Sequence, residues 1–192
     1  RATHSVGARH PLRTETVLQG AIHLVRNNLP MANADSFRAA MRAFVGSVCV
    51  LTTEGAEGPT GCVASSVSSF SATPPVLMLS LSETSSTARA LRAGGALGIS
   101  LVAPTEEAVA QRFAGFSGAR GAARYEGAHW EWVDPGVRVL ATAVVGLGCE
   151  VEDITARHGH LLVLAAVRSI AHLHPGREPL LYWDGAYRRL AR

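Results

Sequence analysis

Between Gly61 and Thr87 the chain reads GCVASSVSSFSATPPVLMLSLSETSST. The adjacent Pro74 and Pro75 exclude a helix, because proline has no N–H and fixes φ, and they interrupt any strand ladder they enter. After them Val76 to Leu81 alternates, with Leu77, Leu79 and Leu81 on one side, the period of a half-buried strand. Before them a hydroxyl-rich segment of small residues suits a second strand. This stretch therefore demands two strands parted by a proline punctuation, and the remaining segments read as the sheet around it.

Those segments arrive mostly as hairpins. Val48 to Thr53 is β-branched and apolar, Glu54 to Gly58 has turn composition, and the chain returns through Thr60 to Ser66. Leu97 to Val102 predicts another strand. Val139 to Val151 predicts a long apolar one, with Leu161 to Leu173 as its partner. Asp184-Gly185 is a strong hairpin turn joining Pro179–Trp183 to Ala186–Leu190. Helices are expected at Ser36–Gly46, capped by Asp35 or Ser36, at Thr87–Ala93 before Gly94-Gly95, and at Pro104–Phe113, with proline in its first turn. In the first of these, Phe37, Met41 and Phe44 share a face expected to join the core. Gly115 to Gly127 reads as a loop. Strands dominate and lack a regular β-α alternation. The expected fold is mainly β: an antiparallel split β-barrel with peripheral helices.

Residues 1–34 read as an N-terminal extension, partly helical over Thr14 to Leu29, and residues 35–192 as one domain. Hydrophobic residues make up 47% of the 192, enough for a core, and a charged fraction of 17% leaves apolar surface for a partner subunit or ligand. A net charge of +3 is too small for a nucleic-acid partner. No apolar run approaches the ~20 residues of a membrane span, and the first residues carry no secretory h-region. Cys49, Cys62 and Cys149 are too widely spaced for a disulfide framework and suit buried thiols in a reducing cytoplasm.

Three constellations could carry chemistry. Ala64 to Ser71 presents small hydroxyls on one strand face, where backbone amides can approach a flat ring. The same composition suits an exposed polar strand running into a serine-rich loop. Ser80 to Thr87 places hydroxyls ahead of a helix, a setting for phosphate and equally for a simple cap by Ser86 or Thr87. There is no P-loop or dinucleotide fingerprint. His158 and His160, echoed by His172 and His174, would share a strand face, but no acidic cluster accompanies either pair and no metal is expected. A packed histidine or one facing a cleft remains open. No GxSxG and no carboxylate pair supports hydrolysis.

Taken in order, FRAAMRAFVGSVCVLTT, GCVASSVSSFSATPPVLMLSL, SSTARAL, VAQRFAG, GHLLVLAAV and PLLYWDGAYRRL resemble the short-chain flavin reductase family with the FMN-binding split-barrel fold. The resemblance covers Asp35 to Leu190. It implies an NAD(P)H-dependent enzyme, with NADH favoured over NADPH, that reduces FAD or FMN. Reduced flavin would leave by diffusion for a flavin-dependent monooxygenase. It also implies a cytoplasmic homodimer. Val63, Ala64, Ser65 and Ser66 would line the isoalloxazine, Val63 standing where the family often has threonine. Ser80, Leu81, Ser82, Ser85, Ser86 and Thr87 would hold the ribityl chain and phosphate, with Arg89, Arg92 or Arg112 supplying the basic residue often found there. Phe113, Ala114 and Gly115 would lie beside the flavin, and His160 and Tyr187 near the nicotinamide. No catalytic side chain is strictly required, His160 being the candidate for nicotinamide positioning. The resemblance also admits a non-catalytic flavin-binding barrel and a pyridoxamine-phosphate-oxidase-like or haem-binding relative.

Overall fold

Strand β2 (Cys49–Gly55) is buried on both faces. Cys49 and Leu51 point into one hydrophobic core, while Val48, just before the strand, and Val50 point into another. A strand covered on both sides reads as a continuous apolar run, as VCVLTT does. The computed structural model describes residues 32–92 and 95–191, and the described chain falls into two units that divide after Met41. The expected helix over Thr14–Leu29 lies outside the described residues.

In the first unit, α1 (Ala34–Met41) starts from Asn33, whose Oδ1 accepts the Ser36 N–H at 2.8 Å. Asn33, rather than Asp35 or Ser36, is thus the cap. The helix stops five residues before Gly46. Phe37 and Met41 are 59% and 44% exposed, and Phe44 lies past the helix, 66% exposed. The expected burial of this face is therefore not realised, because Phe44 never joins the helical face that the i, i+7 spacing assumed.

The second unit is mainly β. Its strands continue from β1 (Gly46–Ser47) and β2 to β3 (Gly58–Ala64), β4 (Ser68–Ala72), β5 (Pro75–Ser82) and β6 (Ala96–Leu101). After them come β7 (Trp130–Val133), β8 (Val137–Leu140), β9 (Val145–Arg157), β10 (His160–Leu173), β11 (Leu181–Trp183) and β12 (Ala186–Arg188). Helix α2 (Ser86–Arg92) follows β5, and α3 (Glu107–Phe113) follows a short 3-10 turn at Pro104–Glu106. Every recorded strand pair is antiparallel.

The main sheet has seven strands in the order β3-β2-β6-β9-β10-β5-β4, so β3 and β4 are its opposite edges. Yet only Ser65, Ser66 and Val67 connect them. Four Cα steps span at most about 14 Å, whereas six inter-strand steps of a flat sheet would need about 29 Å. The sheet must therefore curl until its edges meet. Ala64 of β3 accordingly shares one core with Leu79 and Leu81 of β5 and Leu161 and Val163 of β10. No ladder joins β3 to β4 or β5, which makes this a split barrel, with its seam at Ser65–Val67.

The expected single strand Val139–Val151 is instead broken. Its start pairs with Trp130–Val133 as the β7–β8 hairpin, and a turn over 141–144 separates it from β9. The hairpin lies across β6 and β9 where they carry glycine. A Cβ on Gly148 would sit 1.7 Å from the Asp134 carbonyl oxygen, and one on Gly98 would sit 2.3 Å from that of Arg138. Gly98 and Gly148 are the sequence marks of this close approach, while a Cβ on Gly146 would meet the His172 ring at 2.6 Å. A second core, built from Val48, Val50, Val102, Phe113, Tyr125 and Leu180 among others, covers the outer face of β2. The Asp184-Gly185 hairpin forms as expected and joins β1 in a three-stranded sheet.

Candidate functional site

The seam presents the hydroxyl cluster. Ala64 is buried in the first core and Val63 packs against the second, so both can offer a ligand mainly backbone. Ser65 and Ser66 are exposed. β1 crosses close over Ser65, since a Cβ on Gly46 would come within 2.9 Å of the Ser65 Cβ. The Ser66 hydroxyl accepts the Ser80 N–H at 3.1 Å and donates to the Ser80 carbonyl at 3.0 Å. It extends the β4–β5 ladder by side chain and fixes the seam to β5.

From β5 the pleat turns Ser80 and Ser82 outward and Leu81 into the core. Ser85 caps α2: its Oγ accepts the Ala88 N–H at 3.0 Å and donates to the Ser82 carbonyl at 2.9 Å. The cap is thus Ser85, one residue before Ser86. Ser82 and Thr84 share a hydroxyl contact at 3.1 Å, and Ser86 meets Thr60 of β3 at 2.7 Å. Thr87 is fully buried beside Cys62. Burial pushes the Cys62 thiol up, against the pull of the Thr87 hydroxyl and the Arg124 charge.

A cavity of about 700 Å³ opens beside Ser86. Thr60, Arg89, Gly115, Arg120 and Arg124 also line it, together with the tip of the β2–β3 hairpin. Arg89 is held by its Nη1 on the Thr84 carbonyl at 2.7 Å. Arg124 is held by its Nε on the Ala119 carbonyl at 3.1 Å and by a second bond to the Gly61 carbonyl. No motif in the sequence singles out Thr60, Arg120 or Arg124, and Gly115–Gly127 has only the composition of a loop. A 3-10 turn at Gly121–Tyr125 within it directs Arg124 inward and seats Tyr125, whose hydroxyl donates to the Thr60 carbonyl at 2.7 Å. Burial raises the Tyr125 hydroxyl pKa above the ordinary tyrosine value, with Arg138 as the main opposing charge. Gly115 and Gly118 have φ of +88° and +75°, and nothing lies within 4 Å of a Cβ placed on either, so this wall is bare backbone with open space in front.

Phe113 is 1% exposed, with ring centroids 5.1 Å from Tyr125 and 5.4 Å from Trp130. Its ring is core, and it is Ala114 and Gly115 that reach the surface. Arg112 lines a separate shallow hollow with Gly118 and Gly127, and the Arg92 side chain lies outside the described residues.

His160 begins β10 opposite Ser82, and the Gly159 carbonyl accepts the Glu83 N–H at 2.9 Å. The β9–β10 turn is thereby tied to the serine loop, with His160 exposed next to it. His158 sits in that turn at φ 50°, so the two rings do not share a strand face as expected. Tyr187 belongs to the three-stranded sheet, its ring edge-on to Tyr182 at 5.7 Å, so His160 and Tyr187 stand on different sheets. Burial raises the Tyr187 hydroxyl pKa. His172 and His174 stack at 5.2 Å, with Glu131 3.6 Å from the His172 Nδ1. Among the described residues no group of three or more His, Cys, Asp or Glu could hold a metal. The three cysteines are free.

The antiparallel split barrel thus carries a hydroxyl-lined seam and, beside it, a cavity bordered by Arg89, Arg120 and Arg124 and by the backbone of Gly115 and Gly118. Residues 41–191 match the family described as flavin reductase like domain, and the chain belongs to that family. An FMN reductase (NADH), RutF 2, from Methylorubrum extorquens is 32% identical over 88% of this chain and 96% of its own length. An NADH:FMN oxidoreductase from Rhodococcus qingshengii is 34% identical over 81% of each. Among solved structures, the styrene monooxygenase flavin reductase from Pseudomonas putida superposes with a TM-score of 0.71 at 27% identity. That match covers 81% of this chain and 97% of the other.

Proposed function

We propose that this chain is an NADH-dependent flavin reductase, with residues 35–192 as its catalytic domain and 1–34 as an extension. When both are bound, nicotinamide supplies hydride to flavin N5, and the cofactors carry that chemistry. The observation that supports the reading best is that one strand, β3, carries Val63 and Ala64 at the seam and Thr60, bonded to Ser86, at the cavity. Ser65 and the backbone of Val63 and Ala64 stand at one end, and Ser86, Thr60 and Arg89 at the other, so one phosphate-tailed ring has partners at both ends.

In this reading the seam backbone and Ser65 bind the polar edge of the ring and offer donors where negative charge develops on its reduction. Ser66 holds the seam rather than the ligand, because its hydroxyl is spent on Ser80. Ser86 and Arg89 take the phosphate. Ser80 and Ser82 line the ribityl path, and Ala114 and Gly115 border it. His160, anchored beside Ser82, orients the nicotinamide from the β9–β10 turn, and Tyr187 approaches from the smaller sheet. The chain's task is to bring the reacting atoms to about 3–3.5 Å.

The protein works as a cytoplasmic homodimer and releases reduced flavin to a partner monooxygenase. The exposed Leu162, Phe70 and Ile170 support the dimer, as apolar surface a second subunit would cover. No described helix is long and apolar enough to cross a membrane. NADH oxidation by the purified protein, with and without added flavin, tests the function. Oxidation that depends on flavin is expected, and none with any flavin would overturn it.

A further inference from the structure

We propose that the arginine-lined cavity beyond Ser86 binds the diphosphate of FAD, so that FAD rather than FMN is the preferred flavin. The inference rests on the flavin reductase reading, which places the flavin's first phosphate at Ser86. Ser86 itself lines the cavity, so a tail extending past that phosphate runs straight into it. Three guanidinium groups border this space, from two separate elements: Arg89 on α2, and Arg120 and Arg124 from the segment after α3. One carboxylate, Glu57, stands against them on the β2–β3 hairpin.

A single phosphate is already served by Ser86, Thr60 and one arginine. Two further guanidinium groups match a second phosphoryl, which arginine recognises through paired N–H bonds. Arg89 and Arg124 are held in place by backbone carbonyls that occupy only some of their five N–H groups, so each keeps donors to spare. Arg120 is exposed and makes no ion pair among the described residues. Gly115 and Gly118, on the segment that also carries Arg120 and Arg124, leave a stretch of the wall without side chains, which gives an adenosine room beside its diphosphate.

The test compares riboflavin, FMN and FAD. Their dissociation constants are measured by fluorescence for the wild type, Arg120→Gln and Arg120→Glu, and flavin KM values are measured with NADH. Arg120 is exposed, so both variants are expected to fold, which circular dichroism checks. The wild type should bind FAD about tenfold more tightly than FMN, the worth of one charge-assisted bond. That ratio should fall toward one in Arg120→Gln and invert in Arg120→Glu. Equal affinity for FAD and FMN in the wild type, or a ratio that Arg120→Glu leaves unmoved, would overturn the proposal. So would a charge reversal that shifts the NADPH to NADH preference instead, since the arginines would then serve the nicotinamide coenzyme. In each of these cases wild-type reduction of FMN by NADH leaves the flavin reductase reading standing. Absence of reduction with every flavin overturns both.

Discussion

The hydroxyl of Ser66 bonds both backbone groups of Ser80, at 3.1 Å to its N–H and 3.0 Å to its carbonyl. A side chain here does the work of a ladder residue at the place where the curled sheet's edges meet. Ser66→Ala removes both bonds. Because the site is exposed, water replaces them in part, and the expected loss is about 1 kcal/mol in urea unfolding. An unchanged midpoint would show that the seam is held by other contacts.

Ser65 differs from its neighbour, since none of the described hydrogen bonds occupies its hydroxyl. Ser65→Ala should weaken flavin binding several-fold while kcat at saturating flavin stays within about threefold, because hydride transfer needs no protein acid or base. A collapse of kcat would give Ser65 a part in the chemical step. Flavin itself should bind with a micromolar Kd, equivalent to about 8 kcal/mol, since it must leave after reduction.

The Gly61 carbonyl holds Arg124, which lines the cavity. A Cβ on Gly61 would stand 2.3 Å from the Leu51 carbonyl oxygen and 2.6 Å from the Phe113 ring. Gly61→Ala must displace β3 or the ring, at a cost of about 1–3 kcal/mol. The thermal midpoint should drop by about 2–4 °C per kcal/mol. Flavin affinity should fall with it, because Gly115 follows Phe113 by two residues.

Alkaline pH should destabilise the fold. Burial pushes the Cys149 thiol up to about 12 and the Cys49 thiol up to about 11, from an ordinary 9.0. Both stay protonated in the fold while the unfolded chain ionises. Their contribution is therefore full below pH 9 and is lost as pH rises toward 11 and 12, at about 1.4 kcal/mol per pH unit per thiol. Urea midpoints taken at rising pH should fall, and Cys149→Ala should make the decline shallower. Stability that rises across this window would contradict the burial of the thiols.

Arg138 lies 4.6 Å from the Tyr125 ring centroid and 4.7 Å from that of Trp132, with Glu54 at 2.9 Å. Lysine keeps the charge but loses the planar fork that stacks and bonds at once. Arg138→Lys should cost about 1 kcal/mol, read by thermal or urea unfolding.

Much of this architecture was legible because its causes are local. The alternation from Val76 to Leu81, the Asp184-Gly185 turn and the proline pair act within a few residues, and the strands they predict are present. The broken strand at Val139–Val151 was not legible from apolarity, since VLATAVVGLGCEV is apolar but for Thr142 and Glu150. Only the glycines hinted that another backbone lies across it. The Phe37–Met41–Phe44 spacing misled because periodicity does not say where a helix stops.

At the site, the chain's own order of residues determined which hydroxyls flank β5 and that small residues fill the seam. Folding decided which of them are available: Ser66 is committed to Ser80, Ser85 to the cap and Thr87 to the interior. It also decided that Arg124 bonds the Gly61 carbonyl, 63 positions away, and that Tyr125 reaches Thr60, 65 positions away. No local period encodes such partners. They meet because the Gly121–Tyr125 turn packs against β3, a neighbour that only the tertiary arrangement supplies.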